Sequence, residues 1–184
     1  MKKITLLLAM LLCLVPVLGA CGGAGNPEAA VSAWLDAKYA DGNADVEDVY
    51  AVKLNLNLDV LDLIENETEA SDLEKAVRSN REGTKDKINT MEDMDEKLED
   101  NKWDDYDFNY EIIFCDKYDD DSDTFEEAKK DFLYKGTAIE DELTAVARVG
   151  VLMTGTIEKD GETMTNADVE VFELYCIDGN WYIG

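Results

Sequence analysis

Histidine does not occur anywhere in the 184 residues. Its absence removes the commonest general base, the Ser/His/Asp and Cys/His nucleophile systems, and every zinc site that needs an imidazole ligand. Cysteine is scarce too. Of the four, Cys13 and Cys21 lie near the amino end, and Cys115 and Cys176 are too few for a metal site built from four thiolates. Positive charge is the third shortage: 17 Lys and Arg stand against 43 Asp and Glu, a formal net charge of −26. Such a surface repels nucleic-acid phosphates and anionic lipid headgroups, which excludes nucleic acid as a partner and favours cations or basic partners. No stretch carries a catalytic or cofactor motif, so no catalytic residue and no cofactor is assigned. A disordered acidic chain is one reading of this composition, but three tryptophans, eight tyrosines and periodic apolar runs argue that most of the chain folds.

The sharpest motif lies near the start. Met1-Lys2-Lys3 is a positive n-region, Ile4 to Leu18 an apolar run, and Gly19-Ala20 the small residues of a cleavage site, followed directly by Cys21. Leu18-Gly19-Ala20-Cys21 resembles the lipobox of bacterial lipoproteins. That resemblance implies that signal peptidase II cuts before Cys21, that its thiol is acylated with palmitate-type chains, and that the lipid holds the chain on the extracytoplasmic face of the cell membrane. The alternatives are a secretory signal with an incidental cysteine, or an uncleaved anchor, although a run of about 15 apolar residues is short for a membrane span. Removal of residues 1–20 takes Lys2 and Lys3 and no acid, leaving 164 residues and a net charge of −28. That length suits one domain with a sizeable core. Residues 21–25 read as a flexible Gly-rich tether and 26–184 as a single α+β domain.

Asn26-Pro27-Glu28 has the order of a helix start, with Asn26 as cap and Pro27 at the first helical position. Val31, Trp34, Leu35 and Lys38 share a stripe with Trp34 as anchor, and Gly42 is the expected stop. A second short helix is expected from Asp45, with Val46, Val49 and Tyr50 on its apolar side. Leu54 to Leu58 alternates with period two whereas Val60, Leu61, Leu63 and Ile64 suit a helix, which reads as loop and then helix. Ser71 to Leu98 is the longest helical candidate. Val77, Thr84, Met91 and Leu98 recur every seven residues and Leu73, Ile88 and Met94 thicken the stripe, although Gly83 is a point where it could split. A coiled-coil partner helix and a helix packed along its own domain both fit, and polar Asn80 and Lys87 in the seam favour the second.

Trp103 opens the β half. Tyr106, Phe108, Tyr110, Ile112 and Phe114 alternate with Asp107, Asn109 and Glu111, the pattern of a half-buried strand. Asp123-Thr124-Phe125-Glu126 has capping-box spacing and predicts a helix carrying Phe125, Ala128 and Phe132 inward until Gly136. Ala147, Val149, Val151 and Met153 then line one face of a strand. Asp160-Gly161 is a hairpin turn, Val169 to Ile177 a largely apolar and therefore central strand, and Asp178-Gly179 a second turn into Asn180 to Ile183. The result is a C-terminal antiparallel β-meander.

Two features of this half bear on sites. Asp119, Asp121 and Asp123 have the one-three-five spacing at which carboxylates converge on calcium, but an EF-hand also needs glycine at the sixth position and glutamate at the twelfth, and these fall on Thr124 and Lys130. The choices are an irregular calcium site or a solvated loop capping the next helix, and charge runs of this kind are usually solvated. In an extracytoplasmic setting Cys115 and Cys176 either form one disulfide or sit as small buried hydrophobes.

Helices, a strand, a helix and a meander closing on Asp178-Gly179-Asn180-Trp181-Tyr182-Ile183 resemble the nuclear-transport-factor-two-like (cystatin-like cone) domains of small Gram-positive lipoproteins, which often end in a similar D-G-x-W-Y-I. The resemblance covers the element order from Asn26 to Ile183. It implies N-terminal helices over the concave face of a curved antiparallel sheet, around a cone-shaped cavity, and it implies no reaction. No motif maps the carboxylate, tyrosine or histidine groups of that superfamily's enzymes onto this chain. The leading expectation is therefore a membrane-tethered, non-enzymatic binding or interaction domain with a protein partner or small ligand. Its rival is a small-molecule enzyme or ligand-binding protein in the cone, using a buried carboxylate with a tyrosine such as Tyr110 or Tyr175. A transporter's substrate-binding lipoprotein usually needs two lobes, which this length scarcely holds.

Overall fold

A computed structural model describes residues 25–39, 46–85, 100–102 and 104–184. The expected α+β class holds: helices come first, followed by an open four-stranded antiparallel sheet in the order β1-β2-β3-β4. The helices are α1 (Pro27–Tyr39), α2 (Val46–Val52) and α3 (Glu67–Lys85), with two 3₁₀ turns, Leu54–Leu56 and Asp59–Leu63, between the last two. The strands are β1 (Asp105–Asp119), β2 (Leu143–Lys159), β3 (Glu162–Ile177) and β4 (Asn180–Ile183). Two short helices, α4 (Asp123–Lys130) and α5 (Ala138–Asp141), bridge β1 and β2.

The amino end of α1 forms as its sequence dictates. The Ala29 amide donates to Asn26 Oδ1 at 2.7 Å, and Pro27, which has no amide to leave unpaired, takes the first helical position. Ala30, Val31 and Leu35 are the buried face of α1. Trp34, expected as the anchor, is only half-buried; its ring has the Lys38 and Lys53 ammonium groups 5.8 and 5.1 Å from its centroid. Gly42, the expected stop, lies outside the described residues. The segment read as loop then helix is instead the pair of 3₁₀ turns, and Asn57 fixes their junction by donating to Ala51 O and accepting from the Val60 amide.

α3 begins four residues before the expected Ser71, because Asn66 Oδ1 accepts from the amides of Thr68 and Glu69. Gly83 lies within it and does not split it. The helix packs on its own domain through buried Val77, while Arg81 donates to Leu56 O at 2.5 Å with its guanidinium 4.4 Å from the Tyr50 ring centroid. The rest of the expected helix, including Ile88, Met91, Met94 and Leu98, lies outside the described residues, as does Trp103.

Both Asp-Gly turns are as expected. Asp160 and Gly161, and likewise Asp178 and Gly179, all have positive φ, the geometry that matches the twist of a two-residue hairpin. The inner sheet face carries Ala147, Val149, Val151, Phe172, Leu174 and Trp181, and α1 packs its buried stripe directly on this layer. Side chains therefore fill the space between α1 and the sheet. One end of the outer face, with Val146, Tyr175, Ile177 and Tyr182, is roofed by Phe125 and Ala128 of α4, by Phe132 and Tyr134, and by Ile139 of α5.

Three boundaries differ from the sequence pattern. The register of β1 on β2 shifts between Ile112 and Phe114, so a bulge moves Phe114 off the face of Tyr110 and Ile112 and puts Cys115 there instead. The cap of α4 is Ser122, whose Oγ accepts from the Phe125 amide at 3.1 Å; Asp123 is the first helical residue, and the helix ends at Lys130, well before Gly136. Finally, β3 is central only over Leu174 to Ile177, where β4 pairs with it; Val169 and Val171 are exposed.

Candidate functional site

Beyond the roof, the outer face of the sheet is bare. Successive register rows there read Asp116, Arg148, Glu173; then Phe114, Gly150, Val171; then Glu111, Leu152, Val169. Directly paired residues on antiparallel strands project to one face, so Phe114, Leu152, Val169 and Val171 form one apolar strip. Phe114 is 37 %, Val169 51 % and Val171 53 % exposed. The Phe114 ring lies over Gly150 so closely that a Cβ there would run into it. An aromatic side chain thus covers the backbone of a strand glycine from the neighbouring strand.

Carboxylates flank the strip. Glu111 and Asp116 are exposed on β1, and Glu173 is half-exposed on β3. The one cation in these rows is Arg148, whose guanidinium lies 3.7 Å from Glu173. Glu173 also accepts the Tyr175 hydroxyl at 2.7 Å. Burial and the adjacent Glu173 carboxylate push the Tyr175 phenol well above its ordinary value, so it holds its proton.

Tyr110, the other tyrosine of interest, donates to Asp36 at 2.8 Å from the inner face. Burial raises its phenol, the Asp36 carboxylate adds to the rise, and a hydrogen bond with Ser32 opposes it. Each tyrosine therefore meets a carboxylate, but Asp36 is exposed and Glu173 half-exposed. In both pairs the tyrosine is a poor acid tied to a solvated carboxylate. A groove of about 450 Å³ between α3 and the second 3₁₀ turn is lined by neither pair. It has Leu58, Leu61 and Ala70 in its wall and Asp59, Asp62 and Glu74 among its polar residues, and it opens to solvent.

The acidic loop gathers Asp119, Asp120 and Asp121, with one oxygen of each within 4.8 Å of the others. Asp123 is not among them: it sits in the first turn of α4, where its charge favours the helix dipole. All three gathered residues are exposed, and Ser122 shapes the loop by donating to Asp119 O while capping the helix. Cys115 and Cys176 are free thiols. The disulfide alternative is not formed, for a reason visible in the register: Cys115 pairs with Val149 and Cys176 with Ala145, on opposite sides of β2 and four residues apart along it. That separation is far beyond the ~7 Å Cα limit of a disulfide. Burial, together with Glu28, raises the Cys115 thiol, which makes it a weak nucleophile. Cys21 lies outside the described residues. Among those described, no helix is long and apolar enough to cross a membrane.

The strip escaped the sequence pattern for two reasons. The bulge reverses the phase of β1 at Phe114, and the apolar run of β3 reads as a buried strand although the roof over the outer face reaches only its last residues. A usable signal was the double alternation in Val169-Glu170-Val171-Phe172, which places apolar residues on both faces. Comparison of the chain with protein-family models, with curated proteins and with solved structures finds no match to any.

Proposed function

We propose that the chain is an extracytoplasmic lipoprotein, anchored through a lipid on Cys21, whose domain binds a partner without catalysing a reaction. The observation that carries the binding reading is the contrast between the two sheet faces. Side chains fill the inner face beneath α1, whereas the outer face offers an exposed apolar strip on a chain that is otherwise strongly acidic. Exposed apolar side chains gathered on one face of a charged protein mark interaction surfaces. The element order of helices, strand, short helices and meander supports the resemblance to cone-type lipoprotein domains, and the lipobox residues support the anchor.

Anchoring by lipid explains how so acidic a domain stays beside a membrane whose headgroups repel it. The residues of 21–25 then act as a spacer that lets the domain stand off the bilayer. Metabolic labelling with a palmitate analogue, followed by cell fractionation, tests this. The native chain is expected to carry label in the membrane fraction and Cys21→Ala to lose both label and membrane association. A Cys21→Ala chain that remains membrane-bound and is still cut at the same bond contradicts the anchor.

A further inference from the structure

We infer that the strip formed by Phe114, Leu152, Val169 and Val171 docks a segment of another protein that carries apolar side chains between lysines or arginines. This rests on the binding reading above and adds the surface and the chemistry of the partner. The strip supplies the apolar contact: three of its four side chains are exposed, and they sit in two adjacent register rows spanning β1 to β3. The surrounding charge supplies the sign. Glu111, Asp116 and Glu173 share this face, and Arg148, the cation among them, is already beside Glu173.

Charge also decides between occupants. A second copy laid face to face would set the same carboxylates against each other, on top of the repulsion between two chains of net charge −26 each. An anionic membrane surface meets the same repulsion. A small apolar ligand needs concave walls to bury most of its surface, and this strip lies on the open face of a sheet. A basic, apolar segment gains from both features at once: its apolar side chains cover the strip, and its cations meet the flanking carboxylates. The acidity has a second consequence, since it keeps copies apart despite the exposed apolar face.

The test uses the full lipidated chain, isotope-labelled, in phosphatidylcholine nanodiscs, with three synthetic peptides of equal length: alternating valine and lysine, alternating valine and glutamate, and alternating serine and lysine. The valine–lysine peptide is expected to move the amide resonances of Gly150, Leu152, Val169 and Val171, and to bind about tenfold or more tightly than either control. Val171→Lys, at an exposed position that leaves the fold intact, is expected to weaken it about tenfold. Equal binding of the serine–lysine peptide, resonance shifts confined to residues 58–78 or 119–121, or no binding of the valine–lysine peptide overturns the inference. So does self-association that Val171→Lys abolishes. None of these outcomes touches the Cys21 labelling result, so failure here and failure of the anchored reading are separately visible.

Discussion

The two ends of the outer sheet face share β1, β2 and β3 and differ above all in what lies over them. At one end Val146, Tyr175 and Ile177 are sealed beneath α4, Phe132, Tyr134 and α5. A few residues along the same strands, Phe114, Val169 and Val171 stand open to solvent. Val171 and Ile177 even share a face of one strand, yet the first is 53 % exposed and the second 1 %. Apolar alternation alone therefore does not assign a core. The connection between β1 and β2 assigns it here, because α4 and α5 are too short to roof more than one end.

The contrast predicts unequal costs for similar truncations. Ile177→Ala should lose about 2–5 kcal/mol in a denaturant melt, since it leaves a cavity in a packed cluster, whereas Val171→Ala should stay within about 0.5 kcal/mol. Comparable losses at the two positions would mean that the bare end is part of the core.

Titration should distinguish the ends as well. Burial pushes the Tyr134 phenol from 10.0 up to about 12 and raises Tyr175 further, both beneath the roof. A raised folded-state value means that the folded protein keeps a proton the unfolded chain has released. Their contribution is thus complete below pH 10 and is lost as pH rises through the folded values, at up to about 1.4 kcal/mol per pH unit for each group. Urea melts between pH 9 and 12, the range set by those values, should show stability falling above pH 10. Tyr134→Phe should flatten that fall even though it also forfeits the bond to Leu54 O.

Gly150 probes the bare end directly. A Cβ there must displace the Phe114 ring, which is free to swing into solvent, so Gly150→Ala should cost only about 1–2 kcal/mol. In a Phe114→Ala background that cost should vanish, and a double-mutant cycle measures the coupling. Ser122→Ala removes the cap of the roofing helix and should cost about 1 kcal/mol. Its loss should loosen amide protection at Phe125 and Ala128 and leave Val171 unchanged.

Much of this fold was legible in the chain. Asn26-Pro27 placed α1, the two Asp-Gly pairs placed both hairpins, and alternating Ala147, Val149 and Val151 placed the inner face of β2. These signals are local: a cap, a turn conformation or a period of two is decided by neighbouring residues. What sequence could not supply was tertiary. The bulge at Phe114 depends on the partner strand, and the exposure of Val169 and Val171 depends on how far α4 and α5 reach over the outer face. The acidic loop shows the same division. Spacing suggested Asp119, Asp121 and Asp123, but the turn that Ser122 imposes brings Asp120 into the cluster and sends Asp123 into the helix. Cys115 and Cys176 were each legible as strand residues, while their separation across β2 was a matter of register.

The central claim is that the roofed end holds the fold together and the bare end binds a partner. Val171→Lys read in one experiment for both properties tests it most directly. The account predicts a thermal midpoint within about 2 °C of the native chain, together with binding to the valine–lysine peptide weakened about tenfold. A midpoint lowered as far as that of Ile177→Ala, or undiminished peptide binding, would contradict it.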